Sequence, residues 1–154
     1  MGGATLRHAL LSANIAEAVG PAARDRECRA LRDIFVSVAA NDHQMFDPDV
    51  MIRCGPANEM SRSIDDPVAV FEVLSPSTIH RDRGVKAMGY MRVPSLRFLA
   101  LVYTTELRVE VWSREDGERW PESPAVFSSL DQAVAVTPIG YDLSLATIYD
   151  GADL

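Results

Sequence analysis

Val68-Ala69-Val70-Phe71-Glu72-Val73-Leu74-Ser75-Pro76-Ser77-Thr78 is the stretch on which the fold turns. Its first seven residues run almost without a polar break, the pattern of a strand buried on both faces in a sheet covered by helices. Ser75-Pro76 breaks the strand, and the hydroxyls that follow suit a helix N-terminus. Ile79 to Met91 is therefore expected to be helical until Val93-Pro94 ends it. Glu72 does not belong in such a strand: burying a carboxylate is costly unless something compensates it, and a cation is the natural compensation.

Upstream, Asp49-Val50-Met51-Ile52 is a second short apolar run, with a carboxylate at its mouth. Gly55 to Asp66 between the two runs is polar, contains Pro56 and lacks an apolar period, so it reads as a loop. Cys28 to Ala39 alternates through Ile34, Val36 and Val38 and predicts one strand, followed by a turn at Asn41-Asp42-His43. Leu11, Ile15 and Val19 recur at helical spacing after Thr5, and Gly20-Pro21 supplies a stop, giving a first helix over about 5–19. Downstream, Arg97 to Val102 and Glu106 to Trp112 read as a hairpin around Thr104 and Thr105, with a second turn at Arg114-Glu115-Asp116-Gly117. More strands and a short helix near Leu143 to Tyr149 complete an α/β or α+β order.

The chain has 154 residues, 47% hydrophobic and 24% charged, which suits one domain over 1–154. A core of that size needs no staple, so Cys28 and Cys54 are expected to be reduced thiols of a cytoplasmic protein. No apolar run reaches the roughly 18 residues of a bilayer span, and no secretory signal opens the sequence. The net charge of −7 argues against a general nucleic-acid coat. Residues 71–100, however, carry five cations against Glu72 and Asp82, a local +3 that leaves −10 elsewhere. That distribution suits an anionic substrate steered to a cleft, or simply a solvated arginine-rich helix face.

Lys86 is the only lysine; the other fourteen basic residues are arginine. An ammonium is a compact charge whose pKa shifts readily, so a site that needs lysine cannot accept arginine. Two carboxylates on adjacent strands, Asp49 and Glu72, can hold Mg²⁺ through oxygen ligands. With a lysine nearby, this outlines a phosphodiester-hydrolysis site. Asp82, Lys86 and Tyr90 are spaced i, i+4, i+8, so Asp82 is either a helix-surface partner of Lys86 or a group that tunes its orientation. His8, His43 and His80 lack metal-ligand spacing, Glu17 lies on the side of the helix away from His8, and Tyr103, Trp112 and Trp120 read as sheet-packing aromatics.

Asp47-Pro48-Asp49-Val50, Phe71 to Thr78, Arg81-Asp82-Arg83-Gly84-Val85-Lys86 with Tyr90, and Val93-Pro94-Ser95-Leu96-Arg97 closely resemble the Uma-two family. These are restriction-endonuclease-like proteins of the PD-(D/E)XK superfamily, and the resemblance runs from about His8 to Tyr149-Asp150-Gly151. It implies an αβββαβ core, a mixed central sheet flanked by helices, with additional C-terminal strands. It further implies a cytoplasmic, non-membrane endonuclease acting on DNA with Mg²⁺ or Mn²⁺, and a homodimer. Asp49, Glu72 and the Val73 carbonyl would be metal ligands and Lys86 the catalytic lysine, with Asp82, Arg81, Arg83, Tyr90 and His8 supporting the site or touching substrate. In the wider superfamily the lysine commonly lies two residues after the Glu, here Leu74; in the Uma-two pattern it has moved to the following helix. Two departures stand out: only seven residues precede His8, and Tyr103 occupies a position where family members commonly carry Asp. A different class of function also fits, a fold-retaining interaction module that kept the pocket without efficient catalysis.

Overall fold

The computed structural model describes residues 4–38 and 44–154. Helix α1 (Leu6–Arg24) starts where the Thr5 side chain accepts the His8 N–H, which satisfies one orphan amide of the first turn. Gly20-Pro21 does not end it. Proline removes one hydrogen bond, but the stripe Leu11, Ile15, Val19 continues to Ala23, all four fully buried, and that packing carries the helix through.

The strand expected over 28–39 is two, β1 (Cys28–Leu31) and β2 (Phe35–Ser37), separated where Asp33 takes a left-handed φ of 58°. The turn expected at Asn41-Asp42-His43 lies outside the described residues. β3 (Met45–Phe46) and β4 (Val50–Cys54) follow. The expected loop then contains a two-residue strand, β5 (Ser63–Ile64), paired in parallel with β2. Arg53, almost wholly buried, fastens that loop by a fork to Asp66 and by bonds to the Gly55 and Pro56 carbonyls.

β6 (Ala69–Leu74) is buried throughout, as its sequence requires. The predicted helix after it is a continuous helical run of three parts: α2 (Ile79–Arg81), a π-helical turn (Asp82–Lys86) and α3 (Ala87–Met91). β7 (Phe98–Tyr103) and β8 (Val109–Ser113) form the predicted hairpin, the second strand starting three residues later than expected. β9 (Ala125–Phe127), β10 (Ala133–Val136), β11 (Tyr141–Ser144) and α4 (Leu145–Ile148) complete the order.

The main sheet runs β1-β4-β6-β7-β8-β9, beside a three-stranded sheet β3-β2-β5 and the hairpin β10-β11. Only β6 and β7 in it pair in parallel, which demands a crossover, supplied by the α2–α3 run. Helix α1, strands β1, β4 and β6, the crossover helix and β7 thus give the αβββαβ core, a mixed α+β architecture. One face of the sheet packs on α1 through Val50, Phe71, Ala100 and Val102; the other packs on α3 through Val70, Leu99 and Tyr90. Phe46 meets Tyr90 edge to face at 5.3 Å and lies so close to Gly89 that an added Cβ would stand 2.4 Å from its Cε2.

Cys28 and Cys54 are not free thiols. The β1–β4 register sets them directly opposite, Cα atoms 3.9 Å apart, and they form a disulfide. At the other end of the chain, the Tyr149 hydroxyl lies 2.7 and 2.9 Å from the carbonyls of Tyr103 and Arg108 and accepts the Arg108 N–H. Asn14 of α1 donates to the carbonyls of Ile148 and Asp150. Trp112 and Trp120 pack against the α3-side core, the indole of Trp120 donating to Met91. Among the described residues no helix is long and apolar enough to cross a membrane.

Candidate active site

Strands β4 and β6 are antiparallel with Val50 opposite Phe71. One step further, the same register brings Asp49 beside Glu72. The carboxyl ends of the parallel pair β6 and β7 face the same way, and in open sheets of this kind ligands sit outside those ends. There a pocket of about 500 Å³ is lined by His8, Asp47, Asp49, Glu72, Arg81, Asp82 and Lys86, together with the Ser75–Thr78 loop and Thr5.

Asp49 is held from two sides. Its Oδ2 accepts the Val73 N–H at 2.7 Å and its Oδ1 pairs with His8 Nε2 at 3.0 Å. Burial alone would raise its pKa, but the bonds from His8 and Val73 outweigh it and hold the carboxyl below its ordinary value. His8 is correspondingly raised, chiefly by its hydrogen bond to Asp49.

Glu72 is 2% exposed. Its Oε1 accepts the Tyr90 hydroxyl at 2.6 Å and Lys86 Nζ at 2.7 Å. Burial pushes its pKa up to about 8, helped by the like charge of Asp49 and opposed by Lys86 and Tyr90. Burial would lower Lys86, yet Glu72, Asp82 and Asp49 hold its ammonium above the ordinary value. Asp82, its Oδ1 3.4 Å from Lys86, is buried, so it is no surface partner of the lysine.

The structure therefore brings together Asp49, Glu72, Val73, Lys86, Asp82, Tyr90 and His8, with Arg81 exposed at the rim. Arg83 turns elsewhere: its guanidinium forks onto Glu110 of β8. His80 and Glu17 are exposed and outside the pocket. Sequence reasoning passed over Asp47, which lines the pocket with a pKa raised by partial burial and then by Asp49. The available signal was a second carboxylate two residues before Asp49, across Pro48, at the entry to the same strand. It also passed over Glu110, a buried carboxylate bonded to Arg83, Arg108 and Tyr103.

Among the described residues no group of three or more His, Cys, Asp and Glu side chains is arranged to hold a metal ion. The carboxylates lining the pocket are Asp47, Asp49, Glu72 and Asp82, and Mg²⁺ is commonly held by one or two carboxylates.

The profile of the family Uma2, described as "Putative restriction endonuclease", matches residues 1–147. The uncharacterized protein slr1290 of Synechocystis sp. is 29% identical over 121 residues, 78% of this chain. The match takes in 64% of that curated relative's length. A crystal structure described as a putative nuclease belonging to DUF820, from Anabaena variabilis, superposes with a TM-score of 0.77 at 15% identity. The superposition covers 96% of this chain and 83% of the other.

Proposed function

Since the chain belongs to the Uma2 family, we propose that it is a restriction-endonuclease-like nuclease that hydrolyses phosphodiester bonds of DNA with the help of Mg²⁺ or Mn²⁺. The observation that carries this reading is the convergence of Asp49, Glu72 and Lys86 in one pocket. The oxygen donors fit a hard cation: Asp49 is kept ionised, and Glu72 is buried with less positive charge around it than its ionised form needs.

Asp49 and Glu72, with the Val73 carbonyl, would hold the ion. When bound, such an ion supplies Lewis acidity toward a phosphoryl oxygen. The Lys86 ammonium, with three donors on a compact charge, orients the attacking water and stabilises charge developing on the phosphate. Asp82 and Tyr90 steady Lys86 and Glu72 from the protein side, and His8 keeps Asp49 charged and aimed. Arg81 has no ion-pair or side-chain hydrogen-bond partner among the described residues and stands free to meet a backbone phosphate. Following the family resemblance, the protein is also taken to act as one domain and as a homodimer.

Calorimetric titration of Mn²⁺ into the wild type and Asp49→Asn tests the ligands, and cleavage of plasmid DNA by the wild type and Glu72→Ala tests the chemistry. Expected are about one ion per wild-type chain, none for Asp49→Asn, and loss of cleavage by at least about a hundredfold in Glu72→Ala. Undiminished cleavage by Glu72→Ala overturns the site. Absence of Mn²⁺ binding by the wild type, with and without DNA, overturns the nuclease reading in favour of an interaction module on the same fold.

A further inference from the structure

Leu101 of β7 pairs with Glu72 of β6 on one side and with Glu110 of β8 on the other. The two glutamates therefore lie in one row on one face, two strand spacings or about 10 Å apart. The π-turn covers that face, and two of its residues, three apart, each reach one carboxylate. Lys86 Nζ meets Glu72 at 2.7 Å, while Arg83 makes a fork to Glu110, Nε to Oε1 at 3.0 Å and Nη2 to Oε2 at 3.1 Å. Glu110 is itself fixed by the Tyr103 hydroxyl at 2.7 Å and Arg108 Nη2 at 3.0 Å, and is 1% exposed.

The turn has no apolar anchor of its own. Its buried residues are Asp82 and Lys86, Val85 is exposed, and Gly84 offers no side chain in a place where a Cβ would touch nothing. The wide hydrogen bond from the Ala87 N–H to the Asp82 carbonyl belongs to a rare helix type that appears mostly as single turns inside α-helices, frequently at functional sites. A lysine stem is flexible, so its ammonium is placed only as well as its backbone is placed.

We propose that Arg83 and Glu110 are positioning residues for Lys86: their fork pins the π-turn to β8 and so sets the reach of the ammonium to Glu72. The consequence for DNA hydrolysis rests on the nuclease reading, whereas the placement of Lys86 does not.

Because Lys86 is the only lysine, selective ¹³C,¹⁵N-lysine labelling of the full chain gives one side-chain ε resonance, read at fixed pH without metal or DNA. Glu110→Gln and Arg83→Gln are each expected to move it at least halfway toward the free-lysine position. Acylation of the amine should quicken about tenfold, the accessibility gained when a turn opens locally. Arg53→Gln, which breaks a comparable fork on the 55–66 loop, is expected to leave both readouts unchanged. Should Glu110→Gln not fold, Arg83→Gln carries the test, because that side chain is half exposed. An unmoved resonance in a folded Arg83→Gln, or an equal shift in Arg53→Gln, overturns the inference. A protein with the predicted lysine response that cuts no DNA would sink the nuclease reading and leave the inference standing.

Discussion

Glu72 and Glu110 occupy the same row of the same sheet face and are almost equally buried, yet they are served unequally. Glu110 has a fork from Arg83, a bond from Arg108 and the Tyr103 hydroxyl. Burial would raise it, but those donors and the two guanidinium charges win and hold its carboxyl below 4.5. Glu72 has one ammonium, one hydroxyl and another carboxylate as neighbours, and burial takes it to about 8. A structural carboxylate is neutralised by the chain itself, whereas the candidate ligand is left short of positive charge. Across the sheet, the face under α1 packs through apolar side chains, Val50, Phe71, Ala100 and Val102 among them.

Several substitutions break or sharpen this contrast, and the largest should leave both carboxylates untouched. Joint Cys28→Ser and Cys54→Ser opens a link between residues 26 apart and should cost about 3 kcal/mol in urea unfolding. Mn²⁺ binding by the folded fraction should persist, since the bridge lies away from the pocket. Glu110→Gln should cost about 2 kcal/mol, less than the 3–5 typical of a broken buried pair because both arginines can return to water. Gly89→Ala, whose new methyl meets Phe46, should cost about 1.5 kcal/mol by thermal denaturation, through overpacking beneath Tyr90.

Glu72→Gln should change stability least, within about 1 kcal/mol at pH 7, because the folded state already holds this side chain protonated and neutral there, a form the amide resembles. The pH dependence separates the two residues by sign. The folded state holds the Glu72 proton up to about pH 8, the unfolded state only to about 4.5, so this group lowers stability as pH rises through that window. Glu110 does the reverse: its contribution is full above 4.5 and is lost as pH falls through its lower folded value. Urea titrations at stepped pH should lose the first slope in Glu72→Gln and the acid limb in Glu110→Gln. Persistence of the 4.5–8 slope in Glu72→Gln would assign it to another group.

Much of the pocket was legible because its residues break local rules. An acid inside Val70-Phe71-Glu72-Val73-Leu74 and a lone lysine among arginines are anomalies that composition exposes, and Asp49 follows from pairing two apolar runs. Glu110 was not legible. Val109-Glu110-Val111-Trp112 alternates as any half-exposed strand does, and only the tertiary fold says that its polar side lies beneath a helix. The disulfide was hidden for a related reason: strand register, not spacing, brings Cys28 to Cys54. The π-turn over Asp82–Lys86 has no local signature, since charged side chains reaching the sheet hold it. Asp33 carried no sign that it would adopt a left-handed turn and split the expected strand.

Tyr149 bears on the order in which the molecule can be assembled. Its hydroxyl closes the turn between β7 and β8, and the carbonyls flanking it are gripped by Asn14 at the other end of the chain. During synthesis the first helix and the hairpin both emerge long before the residue that ties them. The nascent protein must therefore wait, this turn untied, until nearly its whole described length has left the ribosome. Slow translation late in the message would lengthen that interval, in which incompletely packed apolar surface is exposed.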